Sequence, residues 1–181
     1  MGNFDRAINV IRKHEGGYVN HEKDPGGATH YGISLRFLKG LGFLGNADIN
    51  NDGCIDVADI QALTEEQANE FYKREFWDRY HYDKIDNNAV ATKVFDIAVN
   101  AGPATAARVV QKSINVLQGD ACLKVDGVLG EKSFHYMNEC EPFDLLQEIV
   151  KHQKAYYQSL CENNHTLKVF LKGWLTRAEQ I

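Results

Sequence analysis

The first apolar stripe of this chain runs straight into a carboxylate. Phe4, Ile8 and Ile11 stand at i, i+4 and i+7, one face of a helix. Four residues further on, the same face holds Glu15, and Gly16-Gly17 follow at once. A glycine pair stops a helix because glycine takes positive φ without steric cost. A carboxyl group so placed feels partial burial and the negative end of the helix dipole, and a neighbouring Asp24 would add like-charge repulsion. All three effects raise its pKa, and a carboxyl group kept protonated near neutral pH is what a general acid needs. The same spacing equally describes a helix-end Glu in water.

The helical period continues beyond this stripe. Thr64 and Gln67 have the spacing of a capping box, and Ala68, Phe71, Tyr72 and Phe76 form the inner face of a helix running toward Tyr80. Val90, Val94, Ile97, Ala98 and Ala101 follow from Asn88 until Gly102-Pro103 stops them. Ala107, Val110, Ile114 and Leu117 mark a further helix closed by Gly119. After a turn over residues 124–133, capped by Ser133 or an earlier residue, the period resumes just past Pro142 and again from Thr166. Connections are short and nothing repeats at a fixed period, so the chain reads as mainly α, with a small β-hairpin near residues 28–34. A chain of 181 residues buries a real core. The best boundary lies near residue 92, dividing 1–92 from 93–181.

Charge narrows the function classes. The formal net charge is −5, and residues 1–92 hold fifteen Asp/Glu against ten Lys/Arg, so the excess lies wholly in the first half. That balance argues against a nucleic-acid surface. No apolar run reaches the length of a membrane span. Asp5, Arg6, Arg12 and Lys13 break up the first helix, which is therefore not a signal peptide, and export needs some other route. Cys54, Cys122, Cys140 and Cys161 lack zinc-type spacing and read as reduced small hydrophobes, with a Cys122–Cys140 bridge as the alternative.

One stretch explains where the negative charge collects. Asp48-Ile49-Asn50-Asn51-Asp52-Gly53-Cys54-Ile55-Asp56-Val57-Ala58-Asp59 follows an EF-hand loop, with Asp at position 1, Asn at 3, Asp at 5, Gly at 6, Ile at 8 and Asp at 9. Asp59 takes position 12, where a longer Glu is usual. A hard calcium ion wants six to eight oxygens, which Asp48, Asn50, Asp52, the Cys54 backbone carbonyl, Asp56 and Asp59 would supply. The expected ion is structural, and Ile55 would anchor the loop to the core. The alternative is a solvated acidic loop.

Glu15-Gly16-Gly17-Tyr18 followed by Asp24-Pro25-Gly26-Gly27-Ala28-Thr29-His30-Tyr31-Gly32-Ile33-Ser34 resembles the N-terminal signature of glycoside hydrolase family 108, muramidases of phage-endolysin type. The acidic loop ahead of Leu63-Thr64-Glu65-Glu66-Gln67-Ala68 fits that family too. Phe95 through Pro103, Gln111, and Asp126-Gly127-Val128-Leu129-Gly130 resemble the predicted peptidoglycan-binding domain that accompanies it. The resemblance implies a lysozyme-like fold and places the catalytic acid on Glu15. It implies that Asp24 and Thr29 polarise or hold the attacking water. In a carboxylate pair the separation sets the stereochemistry, about 5–5.5 Å for a retaining enzyme and roughly 6.5–9.5 Å for an inverting one.

The implied substrate is the peptidoglycan glycan strand, cut between N-acetylmuramic acid and N-acetylglucosamine in the periplasm or cell wall, for lysis or protein secretion. Tyr31, Trp77, Asp96 and Asn100 are the expected groove residues. Asp96 and Asn100 fall four apart on one helix face that lines a cleft or meets solvent. No organic cofactor is expected, and the chain reads as a monomer. Two other readings share these residues: a non-catalytic peptidoglycan-binding module, and a chitinase-like glycosidase.

Overall fold

The first apolar stripe forms α1 (Asn3–His14), in which Ala7, Ile8 and Ile11 are buried. The structure is a computed structural model describing residues 3–14, 18, 27–119 and 121–180. Its contacts divide the chain into two compact units, one of residues Ile8–Arg74, the other of Glu75–Ile181 together with the chain up to Ala7.

In the Ile8–Arg74 unit, β1 (Thr29–His30) pairs antiparallel with β2 (Ile33–Ser34), Thr29 opposite Ser34 and His30 opposite Ile33. Tyr31 and Gly32 make the turn with φ of 49° and 75°. Positive φ at both central residues gives a twist that matches the flanking strands. The Ser34 hydroxyl then accepts the Phe37 N–H at 3.2 Å and starts α2 (Leu35–Leu41). Asp56 caps α3 (Val57–Ala62), and Thr64 with Gln67 forms the expected capping box on α4 (Glu65–Tyr72).

The helix expected to run on to Tyr80 instead changes pitch. After Tyr72 the backbone makes a π-helical turn, Lys73–Asp78. A wider turn rotates every following side chain, so Trp77 is buried where the regular period had placed Phe76. In the unit that contains Glu75–Ile181, the Trp77 ring meets Phe4, Phe95 and Tyr82 edge-on, with centroids 5.7, 5.4 and 6.2 Å away.

The centre of that unit is α5 (Asn88–Ala101), buried without interruption from Val90 to Ala98. A helix buried on all sides needs neighbours on all sides. They are α6 (Pro103–Gln118) and α8 (Pro142–Asn163), with α7 (Glu131–Glu139) on α6 and α9 (Lys168–Glu179) on α8. Gly102, at φ 91°, turns the chain between α5 and α6, and Pro103 opens α6 where a missing N–H costs nothing. The cap of α7 is Gly130, and Ser133 lies buried inside that helix. A 3₁₀ turn, His165–Leu167, precedes α9, so that helix opens at Lys168 and not at Thr166. All four cysteines are free. Among the described residues, no helix is long and apolar enough to cross a membrane.

Replacing Trp77 by Ala should remove roughly 3–5 kcal/mol of stability, as for large core aromatics. Trp77→Phe should lose clearly less. Urea unfolding of the two variants measures this, and equal losses would refute the edge-on cluster as the source.

Candidate functional site

Thr29 stands at the start of the hairpin, its hydroxyl directed to the Gly27 carbonyl at 3.4 Å. Next to it, His30 is held by a 3.1 Å contact between Nδ1 and the Ile60 carbonyl. The Tyr31 ring stacks on His30 at 4.0 Å, and Tyr18 meets His30 edge-on at 5.9 Å. A bulky residue at positive φ is strained. Tyr31 stays there because the Tyr72 hydroxyl donates to its carbonyl at 3.2 Å and the His30 ring supports its own. Strain of this kind collects where a side chain must be aimed. Glu15 and Asp24, the two expected carboxylates, lie outside the described residues.

The acidic loop is organised around Asp59, which is 0% exposed. One of its oxygens accepts from the Ile49 and Asn50 N–H groups at 2.7 and 3.3 Å, and the other from Asp56 N–H at 2.7 Å. Asp48 accepts from Asp52 and Gly53, Asn50 from Asp52, and Asp52 from Cys54. Asp56 is the N-cap of α3, accepting from Ala58. Ile55 is half-buried. Among the described residues, no three His, Cys, Asp or Glu side chains are grouped to hold a metal ion.

Of the expected groove residues, Trp77, Asp96 and Asn100 belong to the Glu75–Ile181 unit. Trp77 is 3% exposed in the aromatic cluster. Asp96, 4% exposed, accepts from both Nε and an Nη of Arg177 on α9, at 3.1 and 2.9 Å. Its second oxygen is buried without a hydrogen-bond partner. Asn100 donates to the Tyr157 hydroxyl at 2.7 Å, which also receives the Gln153 amide at 3.1 Å. Asp96 is therefore covered by α9, whereas Asn100, one turn further on, is exposed with its amide on Tyr157 of α8.

A cleft of about 260 Å³ opens elsewhere in the Glu75–Ile181 unit, between residues 79–82, Pro103 and Ala107 of α6, and the loop 127–129. Tyr80 stacks on Tyr82 at its wall, so the aromatic run 76–82 sends Trp77 into the core and Tyr80 to the surface. The opposite wall is held by Gln111. Its amide donates to Asp126 and to the Val128 carbonyl, both at 2.9 Å, and its oxygen accepts the Gly127 N–H at 3.0 Å. The hydrogen bond from Gln111 holds the Asp126 carboxyl below its usual range, with the Val128 N–H adding to it. Gly127 sits at φ 88°, and a Cβ there would fall 2.8 Å from the Arg108 guanidinium carbon and 3.1 Å from the Ala104 carbonyl. A larger residue there would be strained by that φ and would push on both neighbours.

Residues 8–102 match the family described as Glycosyl hydrolase 108, and residues 105–179 match the Predicted Peptidoglycan domain. The chain belongs to glycosyl hydrolase family 108. Among solved structures it is similar to SagA of Brucella abortus, with a TM-score of 0.76 and 28% identity over 99% of this chain and 91% of that one. No protein of curated function matches it. The family 108 chain is thus a glycoside hydrolase directed at peptidoglycan, built on a mainly α, lysozyme-like fold.

In this hydrolase the residue that spacing failed to single out is Lys93. It sits at 1% exposure within the largely apolar stretch Val90–Ala98 of α5, and a lysine inside such a stretch was the available signal. Its ammonium donates to the Ala178 and Gln180 carbonyls at 2.6 and 3.1 Å, at the C-terminal end of α9. Burial lowers its pKa to about 8 despite the attraction of Asp96. The unfolded chain therefore binds a proton that the folded chain lacks between pH 8 and the ordinary lysine value. Stability contributed by Lys93 rises over that window and is lost as pH falls through about 8. Wild type should accordingly gain on Lys93→Met as pH is raised from 8 to 10, a trend that thermal denaturation reads directly.

Proposed function

We propose that this family 108 hydrolase cleaves the β-1,4 bond between N-acetylmuramic acid and N-acetylglucosamine, with Glu15 as the general acid. The match of residues 8–102 to the family carries the reading, since it includes the whole stretch from Glu15 to Ser34. In sequence Glu15 directly follows His14, the last residue of α1, and a carboxyl group at such a helix end would be harder to ionise. Protonated, it delivers its proton to the glycosidic oxygen as the bond to the anomeric carbon breaks. Asp24 stabilises the oxocarbenium-like charge or, with Thr29, positions the water that attacks the ring. One carboxyl held neutral and a second held ionised is the division of roles that differing environments produce.

Tyr31 supplies an aromatic face for the glycan beside Thr29. Trp77 and Asp96 act from within, holding α5 and its neighbours in place, and Asn100, exposed near the end of α5, is the one of these three open to the glycan. The region up to residue 92 performs the cut and the region from residue 93 holds the wall polymer. The setting is cell-wall remodelling in the periplasm, for lysis or for protein secretion, and the chain works as a monomer. Glu15→Gln should lower turnover of purified peptidoglycan by about 10²–10⁴-fold while leaving sacculus binding intact. A folded Glu15→Gln chain that cleaves at the wild-type rate refutes the assignment. Mass spectrometry of the digest identifies the bond, and chitin serves as the control glycan.

The acidic loop is proposed to hold a calcium ion through Asp48, Asn50, Asp52, the Cys54 carbonyl, Asp56 and Asp59. The donor types suit a hard cation, since every side chain named offers an oxygen acceptor; Asp59, which already accepts three N–H groups, has the least capacity left. The ion would neutralise local negative charge and tie the loop, and it takes no part in the chemistry. Calcium at 100 times its Kd should add about 2.7 kcal/mol of stability. A chelator that leaves the Tm unchanged, with no heat on calcium titration, removes the ion from the account.

A further inference from the structure

A second pocket, of about 250 Å³, lies between α6 and α8, and every residue lining it falls within the matched peptidoglycan domain. Arg108 and Lys112 stand one turn apart on α6, with His152 on α8 facing the same space, and Thr105, Tyr156 and Ser159 add hydroxyl groups. No Asp or Glu lines it. Arg108 reaches only backbone oxygens, Ala104 at 3.5 Å and Asp126 at 3.3 Å, and Lys112 makes no ion pair among the described residues. Glu148, one turn before His152 on α8, is engaged by Lys151 at 3.1 Å and lies 3.8 Å from His152 Nε2. That ring nitrogen is buried and has no hydrogen-bond partner. Burial, with help from Lys112, keeps the imidazole less basic than usual.

Two cations without acidic partners around one small space describe an anion site. The glycan of peptidoglycan is neutral at its N-acetyl sugars, and its anionic groups are the carboxylates of the stem peptides. A pocket near the small end of ligand sites, about 300 Å³, takes one amino-acid terminus and not a disaccharide. Guanidinium and ammonium groups then provide charge-assisted hydrogen bonds to both carboxylate oxygens. We propose that this pocket binds the C-terminal carboxylate of a peptidoglycan stem peptide, so that Arg108 and Lys112 select which peptides the hydrolase engages. The proposal rests on the peptidoglycan reading of residues 105–179.

The test uses the full chain with two soluble probes, a disaccharide-tetrapeptide and the same fragment amidated at its peptide terminus, titrated by calorimetry. Binding to purified sacculi is measured in parallel. The free acid should bind at least about tenfold more tightly than the amide, the worth of one charge-assisted hydrogen bond. Lys112→Gln and Arg108→Gln should each shrink that preference, and Arg108→Lys should keep part of it. Both side chains are exposed, and circular dichroism verifies that the variants fold. Equal affinity of the wild-type chain for acid and amide overturns the assignment, as does a preference that survives both Gln substitutions. Sacculus binding that persists alongside such a result leaves the peptidoglycan reading standing. A wild-type chain that does not bind sacculi overturns both.

Discussion

The buried ammonium of Lys93 is the interaction on which the helical half of the molecule depends. A charged or even a neutral amine enclosed in protein must find oxygens, because leaving it unpaired costs far more than any packing gain nearby returns. The oxygens come from the C-terminal end of α9, whose last carbonyls have no partner within their own helix. Three residues along α5, Asp96 takes the Arg177 guanidinium with two hydrogen bonds. One polar pair on the central helix therefore meets one helix end, and the chemistry of each satisfies the other. That match ties down the C-terminal end of α9, while Trp174 stacks on Tyr157 of α8 and Val169 and Phe170 stay exposed.

A second constraint is the π-helical turn at Lys73–Asp78. A single change of pitch sends Trp77 inward and leaves Tyr80 at the wall of the cleft beside the Gly127 loop. The aromatic stretch thus performs two tasks that a regular helix could not separate in so few residues. Trp77 joins Phe4 and Phe95 in the core, and Tyr80 stays available to a flat ligand. The cleft's other wall is stiff for a different reason. Gln111, itself 2% exposed, spans three groups of the loop 126–128 from the side of α6. A rigid wall loses little entropy on binding.

The helical class, most helix ends, the capping box at Thr64 and the hairpin at Thr29–Ser34 were legible in the residues. All of these depend on local chemistry, on periods of three to four residues and on glycine or proline at a turn. The family signature was legible as well, because it runs contiguously from Glu15 to Ser34. The π turn was not, since its cause is the burial of Trp77 among residues distant in sequence. For the same reason, nothing near Asp96 tells that Arg177 of α9 covers it while Asn100, one turn on, stays exposed.

What the sequence by itself determined was therefore the set of elements and the reaction class. Hydrogen-bonding propensity and apolar period act over a few residues, and a signature lies along one stretch. What only the tertiary structure decided was the fate of polar groups on those helices. Lys93 and Asp96 became internal ties, Asp59 became the buried centre of its loop, and Arg108 and Lys112 remained without acidic partners beside His152. A charge is structural or available according to what another helix brings against it. That is settled by packing across the chain, and no short stretch of sequence contains it.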